Sequence, residues 1–449
     1  MVCPSVRHPK GRISAQASWI GLLACVLVAG TTRAGARSSE DATEASASVR
    51  PFVIRNARVF DGQRLVSAEE VLVENGRIRA VGKGLTTPRG TAEIDARGET
   101  LLPGLIDSHT HDWGDSAKQA VLFGVTTELN MGAPPKVIED LKRTEAAGKA
   151  FDSADLLSAC NVVTAPQGHG TEYGLPVPTL ASAQEAQAFV DARIAEGSDY
   201  IKIILEDGHA CHLEFARLSE EELTASVDAA HKRGKLAIVH ISSQEDARMA
   251  ISARADGIAH LFADGPPRAE VISLMRRAHA FAITTLTAIQ SGLGTVSGAS
   301  LLADKRLGTF LSPAAQAHMK EAIPFRCTGD LANAFAAAKE LRKAGVPLLA
   351  GTDAPAPGSW NGASLHGELE LLVRAGLSPS DALAAATSVP ASTFHLIDRG
   401  RIAPGLRADL LLVRGDPTSA VTSTRDIVAV WKAGVPITRN PVAFPPATQ

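Results

Sequence analysis

Apolar and polar residues alternate with period two near both ends of the chain, and with a longer, mixed rhythm between them. Residues 52–60 and 70–74 read as half-buried strands, and Asn75-Gly76 turns the second of them back into 77–81. Strands of the same kind return at 409–413 and 427–432, where Ala433-Gly434 makes a turn. The two ends are therefore expected to share a small β-domain, a β-sandwich assembled from residues 51–103 and 397–449. From 104 to 396 apolar runs alternate with amphipathic stretches, the pattern of βα units and a parallel sheet. The expected strands are 104–109, 124–131, 156–164, 200–205, 235–241, 257–262, 281–289 and 347–352, with helices over 183–196, 220–233 and 330–343. Eight parallel strands suffice to close a (β/α)8 TIM barrel, so the expected fold class is α/β.

The amino terminus departs from this pattern. Arg7, Lys10 and Arg12 precede an apolar stretch over 19–30, and Ala34-Gly35-Ala36 follows as a small-x-small cleavage site. Residues 1–36 thus read as a removable export signal and 37–50 as a flexible linker, placing the mature protein in the periplasm or outside the cell. The apolar stretch is shorter than the ~20 residues of a spanning helix, so no stable membrane anchor is expected after cleavage. Cleavage removes four basic residues (Arg7, Lys10, Arg12, Arg33) and no acidic one, taking the formal net charge from -3 to -7. An acidic protein is poorly suited to nucleic acid. A small-molecule substrate is the expected partner, and homo-oligomerisation is left open. Cys160, Cys211 and Cys327 remain after cleavage, an odd number that implies no complete disulfide framework. Cys211 lies between His209 and His212, but without a second Cys/His pair nearby a zinc cluster there is not expected.

Candidate chemistry gathers where the barrel strands end. In Leu101-Leu-Pro-Gly-Leu-Ile-Asp-Ser-His109-Thr-His111 an apolar strand closes on two histidines that share a face, so both imidazoles can reach one point. They could be metal ligands or two solvated side chains at a strand exit. His240 and His260 each end an apolar run and could be ligands or core histidines bonded to backbone. Asp353 could be a ligand or a cap of the next turn. Lys202, inside the apolar run 200–205, must be paired, neutralised or placed at the strand's end.

Taken together, the order His-x-His, Lys, His, His, Asp and its local contexts resemble the amidohydrolase superfamily of metal-dependent hydrolases. The resemblance runs from Leu102-Pro-Gly-Leu-Ile-Asp-Ser-His-Thr-His111 to Gly405-Leu-Arg-Ala-Asp-Leu410 and Trp431-Lys-Ala-Gly434. Within the superfamily the chain is similar to the imidazolonepropionase-like and Xaa-Pro dipeptidase-like branch. That implies two divalent metal ions, with zinc favoured over manganese, cobalt or iron. One ion would take His109, His111 and Asp353, the other His240 and His260, and an N-carboxylated Lys202 would bridge them. It also implies a metal-bridging hydroxide that attacks a carbonyl, with Asp353 as general base and then general acid, and His169 polarising the carbonyl.

The expected activity is hydrolysis of a carbon-nitrogen bond in an amide, small peptide, carbamate or cyclic imide. An ester, lactone or phosphotriester could be attacked by the same nucleophile, and a non-catalytic binding protein would have no use for a lysine bridge. Tyr173 and the loop 206–209 are expected to face the pocket, and His366 to lie on a helix after the last barrel strand.

Overall fold

Asn56 divides the first apolar run. Its backbone is left-handed (φ 60°), so residues 52–60 form two strands, β1 (Phe52–Arg55) and β2 (Arg58–Phe60), rather than the single one expected. The computed structural model describes residues 50–146 and 151–442. The export signal and nearly all of the linker lie outside those residues.

The two halves of the divided run enter different sheets. β3 (Leu65–Val66), β4 (Glu70–Glu74), β5 (Arg77–Gly82), β6 (Ala92–Asp95) and β7 (Glu99–Pro103) follow. β5, β4, β1 and β6 make a four-stranded sheet, whereas β2, β3 and β7 join three strands from the far end of the chain: β16 (Leu410–Arg414), β17 (Ile427–Lys432) and β18 (Val435–Pro436). Asn75-Gly76 and Ala433-Gly434 both turn with positive φ at each central residue, the geometry that suits a tight hairpin. One apolar core lies between the sheets, with Ile54, Val71 and Val73 against Leu101, Leu410 and Leu412, and the Phe52 and Trp431 rings stacked 5.5 Å apart.

The middle of the chain is parallel α/β. β8 (Leu105–Thr110), β9 (Val125–Asn130) and β10 (Asp155–Ser158) form one sheet, and β11 (Ile201–Ile204), β12 (Ala237–His240), β13 (Gly257–Ala259), β14 (Phe281–Ile283) and β15 (Leu348–Leu349) form a second. The sheets meet at two seams. Val163 donates and accepts across to Lys202 O (2.8 Å) and Ile204 N (2.9 Å), and Ser108 N bonds Ala350 O (2.9 Å) while Asp353 N bonds His109 O (2.8 Å). Expected and observed strands agree in place, but those at 156–164, 257–262, 281–289 and 347–352 are markedly shorter than expected. The strand at 281–289 stops at Ile283 because the buried Glu368 carboxylate accepts from Thr284 Oγ1 (2.6 Å), Leu286 N (2.9 Å) and Thr287 N (2.8 Å), which starts a helix over Leu286–Gly292. A partner eighty residues away overrides the apolar pattern. The helices over Glu220–Lys232 and Leu331–Lys343 match their expectations and begin on Ser219 and Asp330 caps.

Asp155, at the start of β10, ties this part of the chain to the terminal sheets. Its buried carboxylate accepts from Arg399 (2.5 Å), Arg407 and Lys432. Burial opposes its ionisation, but the three cations hold it well below the usual carboxylate range. Asp155→Asn should cost about 3 kcal/mol, since it leaves buried cations short of a counter-charge while Asp398 and Asp409 still partner two of them. The sign with pH follows from the depressed value. Asp155's contribution is complete above the unfolded carboxylate pKa of about 3.9 and is lost as pH falls below it. Urea melts should therefore show the variant's deficit at pH 7 and a smaller one at pH 3. An equal deficit at both would remove the charge from the explanation.

Candidate metal centre

Apart from Lys202, which lies inside its strand, strand ends and the positions just after them build the site. His109 is the fifth residue of β8, and His111 follows the strand by one. Lys202 is the second residue of β11 and 2% exposed, His240 closes β12, and His260 follows β13. Asp353 lies four residues beyond β15, held by the His109 carbonyl. His260 (φ 72°) and Asp353 (φ 61°) are left-handed without being glycine, a conformation costing about 1–3 kcal/mol that recurs at functional sites.

These side chains converge. Asp353 Oδ1 stands 3.1 Å from His109 Nε2 and 3.1 Å from His111 Nε2. His260 Nε2 is 3.0 Å from His240 Nδ1, the His109 and His260 rings are 4.8 Å apart, and Lys202 Nζ is 3.5 Å from His109 Nε2. Donors bound at about 2.0–2.1 Å around a tetrahedral ion sit ~3.3 Å from each other, so these spacings suit ligands of a common cation. The outward-facing nitrogens support the same reading. His111 Nδ1 meets Gly132 O (2.8 Å), His260 Nδ1 meets Thr285 Oγ1 (2.7 Å), and His240 Nε2 meets Glu206 Oε2 (2.7 Å), each leaving the inward nitrogen available. His109 Nδ1 is buried with no partner among the described residues.

Burial keeps three of these imidazoles neutral, as metal ligation needs. Burial drives His109, His240 and His260 well below the usual histidine value, assisted by Lys202 at His109, by His169 at His240 and by His240 at His260. Burial also pushes Lys202 down to about 7. For Asp353 burial acts in the opposite sense, and the neighbouring His109 and His111 nonetheless hold it well below the carboxylate range. His109, His260 and Asp353 could hold a cation, and so could His169, Glu206 and His240. The residues present therefore fit a metal centre.

His169 stands at the same rim, its ring 5.1 Å from that of His240. Its Nδ1 donates to Glu172 Oε1 at 2.6 Å, and this carboxylate raises its pKa against the effect of burial. Tyr173 and Phe215 pack beside it, with ring centroids at 5.9 and 5.1 Å. His366 has no path to a substrate, because it is buried between Thr424 Oγ1 and Phe123 O (2.9 Å each) and burial lowers it to about 3. Cys211 is joined to Cys327 in a disulfide, which removes it as a metal ligand, and Cys160 stays free and buried.

Two residues of the site escaped sequence reasoning as contributors. Glu206 falls in the loop 206–209, and an acidic residue four positions beyond a buried lysine is itself a signal. Asp107 lies inside the expected strand 104–109, where the local pattern gives it no role. It accepts from His109 N (3.2 Å), Thr352 N (3.1 Å) and Thr352 Oγ1 (2.7 Å), locking the segment that carries Asp353 against β8. Burial raises its pKa to about 8.

Comparison with known proteins agrees with this geometry. The family model described as "Amidohydrolase family" matches residues 100–438. The imidazolonepropionase of Deinococcus radiodurans is 27% identical over 415 residues, which cover 86% of this chain and 96% of that protein. Among solved structures, a candidate prolidase from Bifidobacterium longum is 26% identical with a TM-score of 0.70, over 88% of this chain and 97% of that one. A Xaa-Pro dipeptidase with bound methionine superposes with a TM-score of 0.67 at 22% identity, over 86% and 99% of the two chains.

Proposed function

The chain belongs to the amidohydrolase family and is a metal-binding hydrolase of carbon-nitrogen bonds, and from that premise we propose a two-metal centre, one ion on His109, His111 and Asp353 and the other on His240 and His260, with Lys202 reaching both. The carrying observation is the convergence of inward nitrogens and a carboxylate oxygen at 3.0 and 3.1 Å. Imidazole with carboxylate donors favours zinc. When bound, such a pair supplies Lewis acidity and a water acidic enough to act as a nucleophile near neutral pH.

The chain's own residues do the rest. The neutral Lys202 amine can add to carbon dioxide, forming an N–C bond and releasing one proton, so that two anionic oxygens replace one nitrogen as donors. Asp353 takes the proton of the attacking water and delivers it to the leaving nitrogen, which departs as a neutral amine. His169, oriented by Glu172, presents its other nitrogen to the carbonyl oxygen as that atom gains charge. The substrate is a small molecule carrying an amide, peptide, carbamate or cyclic imide.

The same reading extends to architecture and location. Hydrogen bonds at both seams support closure of the parallel strands into a (β/α)8 barrel, and the shared core of the terminal sheets supports a β-sandwich built from both chain ends. Export to the periplasm or beyond is proposed from residues 1–36, and the Cys211–Cys327 disulfide supports it, since such bonds persist in oxidising compartments.

Chelation of the purified protein is expected to remove about two metal equivalents and all turnover, and zinc should restore both. Turnover that survives complete metal removal would overturn the reading. A panel of N-acyl amino acids, Xaa-Pro dipeptides, cyclic imides, lactones and organophosphates, scored by kcat/KM, should rank the carbon-nitrogen substrates first.

A further inference from the structure

We propose that Glu206 is a positioning residue of the metal centre, accepting the Nε2–H of His240 and thereby committing His240 Nδ1 to the ion; the inference rests on the two-metal reading. Three observations support it. First, Glu206 Oε2 lies 2.7 Å from His240 Nε2, and the residue is only 9% exposed. Second, the backbone beside it is fixed to the same histidine, since the Leu205 N–H donates to His240 O at 3.1 Å. Third, the opposite nitrogen of the ring, Nδ1, faces His260 Nε2 at 3.0 Å. Two imidazole nitrogens so close must either share a proton or face a common cation.

Glu206 decides between these. Were the proton on Nδ1, it would bond His260, while the bare Nε2 lone pair would face an anionic carboxylate at 2.7 Å. With the proton on Nε2 that contact becomes a charge-assisted hydrogen bond, and the inward Nδ1 lone pair of His240 is left for the metal. His260 is set differently. Its outer partner is the Thr285 hydroxyl, which donates as readily as it accepts and therefore imposes no tautomer. Of the pair His240 and His260, only His240 has an anion to fix its proton, so Glu206 governs how well the second ion is held.

The test reads metal binding in the full-length protein rather than turnover. Zinc affinity of each equivalent is measured by competition with a chromogenic chelator, for wild type, Glu206→Leu, Glu206→Gln and, as a control on the same exposed loop, Glu214→Gln. One equivalent should bind about 10–100-fold more weakly in E206L, the range typical for loss of such a partner. E206Q, whose amide oxygen can still accept from Nε2–H, should lose less, and E214Q nothing. If E206L fails to fold, E206Q alone carries the test and must still show one weakened equivalent. Wild-type affinity for both equivalents in the folded variants would overturn the proposal, as would a rise in KM with metal affinity intact, which would make Glu206 a substrate contact. A wild type that binds fewer than two equivalents would instead overturn the two-metal reading beneath it.

Discussion

Asp353→Asn is expected to lower kcat by about 10⁴-fold while the melting temperature of the metal-free protein stays within about 2 °C of wild type. The size reflects two losses at once. A residue acting as base and then acid commonly contributes ~10²–10⁴-fold, and the upper end is set here because the same carboxylate also stands 3.1 Å from two imidazoles of the proposed centre. At 1.36 kcal/mol per tenfold, this is about 5.5 kcal/mol of transition-state stabilisation. Asparagine is the informative replacement for a backbone reason. Position 353 is left-handed at φ 61°, a region that Asn and Asp tolerate and alanine resists, so D353N changes the charge without straining the chain. Steady-state kinetics on zinc-reconstituted enzyme, with metal content measured alongside, separates the two losses. Turnover within tenfold of wild type would remove Asp353 from the mechanism.

The candidate ligands were legible in the sequence because all but Lys202 lie at or just after the end of a short apolar run, Lys202 is a lone charge inside one, and a period-two pattern fixes which face of a strand its end presents. That argument needs only local sequence. It points to His109, His111, Lys202, His240, His260 and Asp353 as candidates, the resemblance alone implies their metal roles, and the structure brings all six together. What it could not find are the groups that orient them. Glu206, Thr285 and Gly132 reach the histidines from loops whose paths depend on tertiary packing, and Asp107 acts by bonding a segment 245 residues away. The missed element ends have the same origin. Glu368 stops β14 and starts the helix beyond it from a distant helix, and the kink at Asn56 divides one alternating run between two sheets. Expectations failed where a long-range contact outweighed a local preference.

Removing the Cys211–Cys327 disulfide is expected to have the largest effect on stability. The bond closes a loop spanning 116 residues, and a chain-entropy estimate for that length gives about 4.8 kcal/mol. With unfolding entropy near 2.1 cal/mol/K per residue over about 390 ordered residues, the midpoint should fall by about 6 °C. C211S, C327S and the double variant should fall alike, because the lost cross-link is common to all three; calorimetry under non-reducing conditions checks this. A drop below about 1 °C would mean that the bond does not stabilise the fold. Turnover at 25 °C should be largely kept. The bond anchors the turn His209–Cys211, which Thr328 also holds through Ala210 O (2.6 and 3.1 Å), whereas the proposed ligands His240, His260 and Asp353 are placed by strands and their seams. Asp353 and the disulfide should thus fail in opposite ways, one losing chemistry with the fold intact and the other losing stability with the chemistry intact. That outcome is what a site carried on strand ends, with its outer loops stapled separately, requires.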